Sequence, residues 1–366
     1  MDYITITICS KPANIIICMN LSSNNIKQSI KQPIKRGLQH IAAKFSQHTR
    51  SSKQPRLLIL MYHRILPVDD ERAQIEEPGM MVTPETFRMQ MHLIRQRFDV
   101  LFLSEWIKRK HTGEALPSSC CAITFDDGWA DNYEFAYPIL QELNLSATIF
   151  LVSDMVGSKQ LFWPERLALT LNEVALHCPE KWEHPALKWI KDKPTSYDYA
   201  SVPPDQEQLS EIIQHIKGLR DDEVHAHIDI MEKDLKLDIS ADPSILNWQQ
   251  ITEMGQSGLI EAGSHTCRHI RLGAGQNEET LKQEIIQSKL HIESQLGQPV
   301  DSFCYPNGDY SPRAVELVRQ NYQCAVTTSK GWNTTDTDDH LLLRIGMHED
   351  ISADKTAFLA RLSGWM

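Results

Sequence analysis

Two adjacent carboxylates, Asp126 and Asp127, follow the apolar run Cys120 to Phe125 and precede Gly128. Side by side they repel, and neither can be a core residue unless a cation or hydrogen bonds offset its charge. At a strand end, neighbouring side chains can be aimed differently, one at a metal and one at a nucleophile. The same residues also suit a helix N-cap or an Asx turn before Gly128. A second motif, Gly263-Ser264-His265-Thr266-Cys267-Arg268-His269, follows another strand-like run and sets two imidazoles four residues apart. On a helical turn or in a tight loop, that spacing puts both on one side, within reach of one ion. Fifteen histidines make a chance pair easy, so the pair gains its weight from the carboxylates. Cys267 lies between the two, but position i+2 points away from a helical i/i+4 face and reads as packing. One Asp and two His leave positions open for water, which is the layout of a catalytic rather than a structural metal.

To bring those side chains together, the chain must supply strands that end beside one another. Leu57 to Tyr62 is a short apolar run that predicts a buried strand ending at His63 and Arg64. Further strands are expected at Val100 to Leu103, Cys120 to Phe125, Ala147 to Val152, Ile260 to Ser264, Ser302 to Tyr305, Cys324 to Thr327 and Leu341 to Ile345. Helices fall between them. Thr83 caps one, with Pro84 at its first position, and Ser311-Pro312 opens another. Others are expected at Phe135 to Leu143, at Trp248 to Gln256, and from Glu278 to Leu296 between Asn277 and Gly297. Strands separated by helices argue for a parallel sheet with helical crossovers, closed into a barrel or left open. Between about Val156 and Ile245 the rhythm stops. Helical patches at Pro164 to Leu176, Gln208 to Lys217 and Val224 to Leu235 read as a mainly helical insertion, 156–245.

A chain of 366 residues suits two domains, or one large domain with an insertion. Its 41 % hydrophobic and 23 % charged residues exclude wholesale disorder and low-complexity architectures. No run approaches the roughly 18 apolar residues of a membrane span, so no transmembrane segment is expected and the chain reads as soluble. Nine of the 37 Lys/Arg but only one of the 48 Asp/Glu precede Leu57, leaving the body at a formal −19. That charge repels nucleic acid and anionic lipid, and no nucleic-acid partner is expected for the body. The basic extension 1–55 is expected to be loosely ordered, with one amphipathic helix around Ile34 to Phe45. It could make weak contact with an anionic membrane surface. The eight cysteines contain no CxxC pair, and Lys11 and Pro12 interrupt any secretory apolar core. A cytoplasmic location is the expectation from these features.

Phe125-Asp126-Asp127-Gly128 taken with His265-Thr266-x-x-His269 resembles the metal-site motifs of the polysaccharide deacetylase family, the NodB-homology domain of carbohydrate esterase family 4. The resemblance implies an α/β fold: a distorted (β/α) barrel with a mainly helical insertion. The catalytic barrel would span 57–350, interrupted by 156–245, with 351–366 as a C-terminal helix. It implies a hydrolase that removes N-acetyl, or O-acetyl, groups from a polysaccharide or oligosaccharide substrate. Carried over by position, Asp127, His265 and His269 would hold a divalent metal, with Zn²⁺ the expected ion, and Asp126 would be the general base.

Phe303-Cys304-Tyr305-Pro306-Asn307-Gly308 resembles the third family motif. It implies a backbone N–H of Asn307 aimed at the developing oxyanion, and Tyr305 near the substrate. The arginine usual in that motif is absent, with Cys304 roughly in its place, and Arg344 is the candidate replacement. On the last strand, Arg344, Gly346 and His348 alternate to one face. Met347-His348-Glu349-Asp350 is similar to the last family motif, whose histidine is the general acid. Tyr62-His63-Arg64 resembles the first strand of the bacterial exopolysaccharide branch, which puts His63 at the site. Trp129 and Tyr133 could stack on a sugar face or pack in the core. Two other function classes stay in view. The missing arginine suggests a catalytically impaired glycan-binding protein on the same fold. Phosphoryl transfer through Asp126 would call for a DxD pair and a basic phosphate loop, which are not found here. Relatives acting on finished polysaccharides are exported, so export is the alternative to a cytoplasmic location.

Overall fold

Seven short runs form the strands β1 (Arg56–Tyr62), β2 (Ser119–Phe125), β3 (Ala147–Leu151), β4 (Ile260–Ser264), β5 (Ser302–Cys304), β6 (Cys324–Lys330) and β7 (Leu342–Gly346). Each pairs in parallel with the next, and β7 pairs with β1, so the sheet closes into a seven-stranded parallel barrel. Closure leaves these strands without a free edge. It also places all seven C-terminal ends at one mouth, where the sequence has Asp126, His265, Asn307 and His348. The computed structural model describes residues 7–11, 14–18, 36–44, 54–199, 202–237, 239 and 244–364.

The crossovers are helical. Between β1 and β2 lie α1 (Pro84–Arg95) and α2 (Leu103–Thr112); α3 (Tyr137–Leu143) joins β2 to β3. After β3 come α4 (Trp163–His177), α5 (Gln206–Ile216), α6 (Asp221–Leu235) and α7 (Trp248–Gln256). Then follow α8 (Glu278–Lys282), α9 (Ser288–Leu296), α10 (Pro312–Asn321) and α11 (Lys355–Leu362). The expected caps are in place: Thr83, Asn277 and Ser311 each accept a backbone N–H of the first turn. Within the basic extension, Thr7–Lys11 and Asn14–Cys18 pair as an antiparallel hairpin, and residues 36–44 are helical. The rest of 1–53 lies outside the described residues.

One expected strand is corrected. Only Asp99–Val100 pairs with β2, and Leu103 opens α2 instead of ending a strand. The run Val100-Leu101-Phe102-Leu103 is too short for periodicity to separate strand from helix. Phe102, at the N-cap, makes no side-chain cap. The helix is driven by tertiary burial: Leu103, Trp106 and Ile107 pack with Leu57, Ile59, Phe150 and Val326 of the barrel. Each such side chain contributes about 1.5–3 kcal/mol on full burial.

Small and large side chains share the barrel interior. A Cβ on Gly263 would stand 2.4 Å from Phe150 Cδ1, so glycine at that position makes room for the ring. The helices α4 to α6 bury a separate core that includes Leu171, Ile212, Ile228 and Met231. The returning chain is then stitched to the loop after β2, with Ala130 N–H donating to Ser244 O and Leu246 N–H to Gly128 O. That loop carries the two carboxylates.

Candidate functional site

Alternation along β2 sends Thr124 and Asp126 inward, and alternation along β7 sends Arg344 inward to meet them. The Arg344 guanidinium donates to both Asp126 oxygens, Nη1 to Oδ1 at 2.7 Å and Nη2 to Oδ2 at 2.8 Å. Its remaining donors are spent on Thr327 O, Thr124 Oγ1 and Cys304 Sγ. Burial by itself would push Asp126 up. The guanidinium overrides it and holds the carboxyl below its ordinary range. His63 Nε2 stands 3.9 Å from Asp126 Oδ2.

Asp127 turns the other way because its backbone is left-handed, with φ 73°. Its Oδ2 accepts the indole N–H of Trp129 at 3.0 Å. Its Oδ1 is buried without a hydrogen-bond partner, and stands 3.4 Å from both His265 Nε2 and His269 Nε2. His265 Nδ1 lies 2.8 Å from the Cys304 carbonyl. A carbonyl only accepts, so Nδ1 carries a proton. Burial works against charge on this ring, but Cys304 and Asp127 more than offset it and hold His265 well above the ordinary imidazole value, with Nε2 turned to Oδ1. Burial lowers His269 to about 4, which keeps that ring neutral at pH 7. Burial pushes Asp127 up, but the imidazoles more than offset it and hold the carboxyl well below its usual range.

This donor set fits a divalent ion. Two donors about 2.1 Å from one ion at a tetrahedral angle stand about 3.4 Å apart, which is the separation of Oδ1 from each imidazole nitrogen. Asp126, His265 and Cys304 form a second close group, and it fits less well. Both Asp126 oxygens are committed to Arg344, and burial pushes the Cys304 thiol up, away from the thiolate that binds metals. Cys267 is buried and belongs to neither group.

The turn between the histidines is held by a residue the sequence reading missed. Glu284, fully buried, accepts the backbone N–H of both Cys267 and Arg268 at 2.9 Å. It sits in a π turn, Gln283–Gln287, between α8 and α9, and such turns often mark functional sites. The available signal was an acid beside Leu281 and Ile285 on a helical core face. Thr266 and His269 are left-handed (φ 70° and 60°), as are Asp127 and Asn307. Such backbone costs about 1–3 kcal/mol per residue and persists where its surroundings enforce it.

His348 caps the helical turn after β7, and its Nδ1 bonds the Asp350 carboxylate. It lines a cavity of about 170 Å³ together with His63 and Arg344. Asn307 sits in the turn after β5, and its backbone N–H has no partner among the described residues. The next residue, Gly308 (φ 73°), could not carry a Cβ, which would fall 2.1 Å from Thr328 Oγ1.

Two expected substrate contacts are placed elsewhere. Tyr305 is wholly buried, its ring 5.2 Å from that of Phe303, so it offers no face to a sugar. Trp129 is buried as well, between Phe162 at 5.0 Å and the Arg64 guanidinium at 4.1 Å. Its polar edge serves Asp127 instead. The sequence carries no sign of this, since Phe162 and Arg64 reach Trp129 only through the fold.

The family model for polysaccharide deacetylase matches residues 113–323. YxkH of Bacillus subtilis, named for polysaccharide deacetylase, is 30 % identical over 129 residues, 35 % of this chain and 42 % of its own length. The poly-beta-1,6-N-acetyl-D-glucosamine N-deacetylase of Staphylococcus epidermidis is 29 % identical over 132 residues, 33 % of this chain and 45 % of its own. The chain thus matches less than half the length of either curated relative. Among solved structures, the Streptococcus pyogenes deacetylase PplD in complex with acetate superposes with TM-score 0.53 at 20 % identity, covering 82 % of this chain and 96 % of its own. IcaB from Ammonifex degensii gives TM-score 0.53 at 19 %, covering 84 % and 97 %. These two share the fold.

Proposed function

The chain belongs to the polysaccharide deacetylase family, and from that premise we propose that it is a metal-dependent hydrolase removing N-acetyl groups from a polysaccharide or glycan. The observation that carries the reading is the buried, partnerless Asp127 Oδ1 facing two imidazole nitrogens at 3.4 Å, one residue from a carboxylate clamped by arginine. Asp127, His265 and His269 would hold the ion. When bound, a divalent metal such as Zn²⁺ supplies Lewis acidity, bringing the pKa of water from 15.7 to about 7.

The chain's own groups do the rest. Asp126, kept ionised by Arg344, accepts a proton from the attacking water. A carboxylate held so acidic is a weak base, so it depends on a nucleophile that has itself been acidified. The fixed bidentate geometry orients it at no reorganisation cost. The Asn307 N–H donates to the oxyanion that develops on the acetamide. His348, with Nδ1 held by Asp350, carries any further proton on Nε2 and gives it to the leaving amine. Acetate and an amino sugar are released.

Arg344 also answers the reason for a binding-only reading, since an arginine does reach the base, from β7 instead of β5. The test is acetate release from N-acetylated glucosamine oligomers by the zinc-loaded protein. Turnover is expected, with loss of about 10²–10⁴ in kcat for His348→Ala. No acetate from zinc-loaded protein on any acetylated glycan would overturn the reading.

A further inference from the structure

The loop that carries the two histidines, 265–271, is held in two halves by two different bodies. Its first half belongs to the barrel. His265 N–H donates to Leu151 O at 2.8 Å, Ser153 N–H to Thr266 O at 3.1 Å, and Asp154 N–H to Cys267 O at 3.0 Å. Its second half leans on the insertion. Arg271, two residues past His269, donates through its backbone N–H and its Nε to the two oxygens of Asp221, at 2.7 Å and 2.8 Å. Its Nη1 reaches Lys217 O at 2.7 Å, and its Nη2 reaches Leu219 O. Asp221 opens α6 and is buried, and charge-assisted bonds of this kind are the strong ones. From the barrel side, Gln276 Nε2 donates to the Arg271 carbonyl.

The insertion also touches the imidazole itself. Phe162, at the N-cap of α4, sets its ring edge-on to His269 at 5.4 Å and tilted against Trp129 at 5.0 Å. Trp129 in turn donates its indole N–H to Asp127 Oδ2. One ring of the insertion therefore braces two of the three candidate ligands, His269 directly and Asp127 through Trp129. Phe162 is itself fixed: its N–H donates to Glu165 Oε2 at 3.1 Å, and Glu165 stands 3.9 Å from Arg64.

His269 needs such bracing. Its backbone is left-handed, with φ 60°, a conformation that persists where its surroundings enforce it. Its side chain is 22 % exposed, against 2 % for His265, so it is the ligand with room to turn away. A side chain ordered before binding surrenders less freedom when the ion arrives.

We infer that the insertion is a clamp on the metal site: Phe162 and the Asp221–Arg271 pair are positioning residues that hold His269 toward Asp127 and so set the affinity for the ion. The inference rests on Asp127, His265 and His269 being the ligands, and it gives 156–245 a task. Such coupling is reciprocal. If docking of the insertion tightens the ion, the ion tightens the docking.

Two readouts on the full chain test it. In wild-type protein, zinc is expected to slow amide hydrogen exchange over 217–224 by about tenfold. In chelator competition, Arg271→Ala weakens zinc binding about 10–100-fold and Phe162→Ala about tenfold, whereas Phe162→Tyr, which keeps the ring, binds as wild type does. A merely structural role would lower the melting temperature and move neither readout. Melting curves identify any variant that fails to fold, and the exchange in wild type then decides. Exchange indifferent to zinc, or wild-type affinity in either folded alanine variant, overturns the inference and leaves the deacetylase reading standing if acetate is released. Both clamp effects without acetate release from any acetylated glycan would sink that reading and leave the clamp. Wild-type protein that binds no zinc would remove both.

Discussion

Arg344 and Arg64 are both fully buried guanidiniums near the barrel mouth, and they treat their carboxylates in opposite ways. Arg344 serves a single carboxylate, Asp126, through two parallel hydrogen bonds, and holds it ionised. Arg64 is shared by Asp131 at 2.9 Å, Glu76 at 2.9 Å and Glu165 at 3.9 Å. One guanidinium cannot offset the burial of three carboxylates, and burial raises all three, Glu165 to about 7. The Arg64 cluster ties the loop after β1, the loop after β2 and the insertion helix α4 together. Buried charge by itself therefore does not mark chemistry. The mark is a lone pair left unspent, and Asp127 Oδ1 has one, beside the Asp126–Arg344 pair.

Removing each arginine tests that contrast most severely. Arg344→Ala leaves Asp126 buried and uncompensated, costing about 3–5 kcal/mol of stability, and should drop kcat by about 10²–10⁴ even in the folded fraction. Arg64→Ala should cost similar stability, with kcat per folded molecule changed far less. Chemical denaturation paired with active-site-normalised kinetics separates the two, and equal loss of kcat in both would erase the distinction.

Glu165 offers a milder test. Its folded pKa, about 7, lies above the ordinary 4.5. The folded state thus keeps a proton that the unfolded state releases, and this group's contribution to stability is lost as pH rises from about 4.5 to 7. Glu165→Gln should be near neutral at pH 5 and stabilising at pH 8, by at most about 3 kcal/mol. Melting curves at the two pH values check the sign, and stabilisation confined to pH 5 would contradict the charge balance argued for this cluster.

Trp129 joins the two regions, stacked on Arg64 and donating to Asp127. Trp129→Phe keeps a ring for Arg64 and deletes the N–H. Zinc affinity should fall about 10–100-fold with little change in melting temperature, measured by chelator competition. Unchanged affinity would reduce Trp129 to packing.

The barrel was legible because its strands are short runs of three to seven residues, mostly apolar, that stop at polar motifs, and because Thr83, Asn277 and Ser311 announce their helices. Both carboxylates and both histidines were legible for the same reason: each motif sits where a strand runs out. Arg344 could be proposed from strand alternation, since β7 places it on the face it shares with His348. What stayed hidden depends on contacts distant in sequence. Glu284 reaches Cys267 and Arg268 only because a π turn re-aims it. Leu103 to Thr112 is a helix only because the barrel needs its base filled. The burial of Tyr305 and Trp129 reflects neighbours from β5 and the insertion that no local pattern discloses.

The central claim is that Asp127, and not its neighbour Asp126, belongs to the metal. Zinc content after exhaustive dialysis of the wild-type, Asp126→Asn and Asp127→Ala proteins tests it directly. The account predicts a single equivalent retained by wild type and by Asp126→Asn, and none by Asp127→Ala. Retention by Asp127→Ala with loss from Asp126→Asn would contradict it.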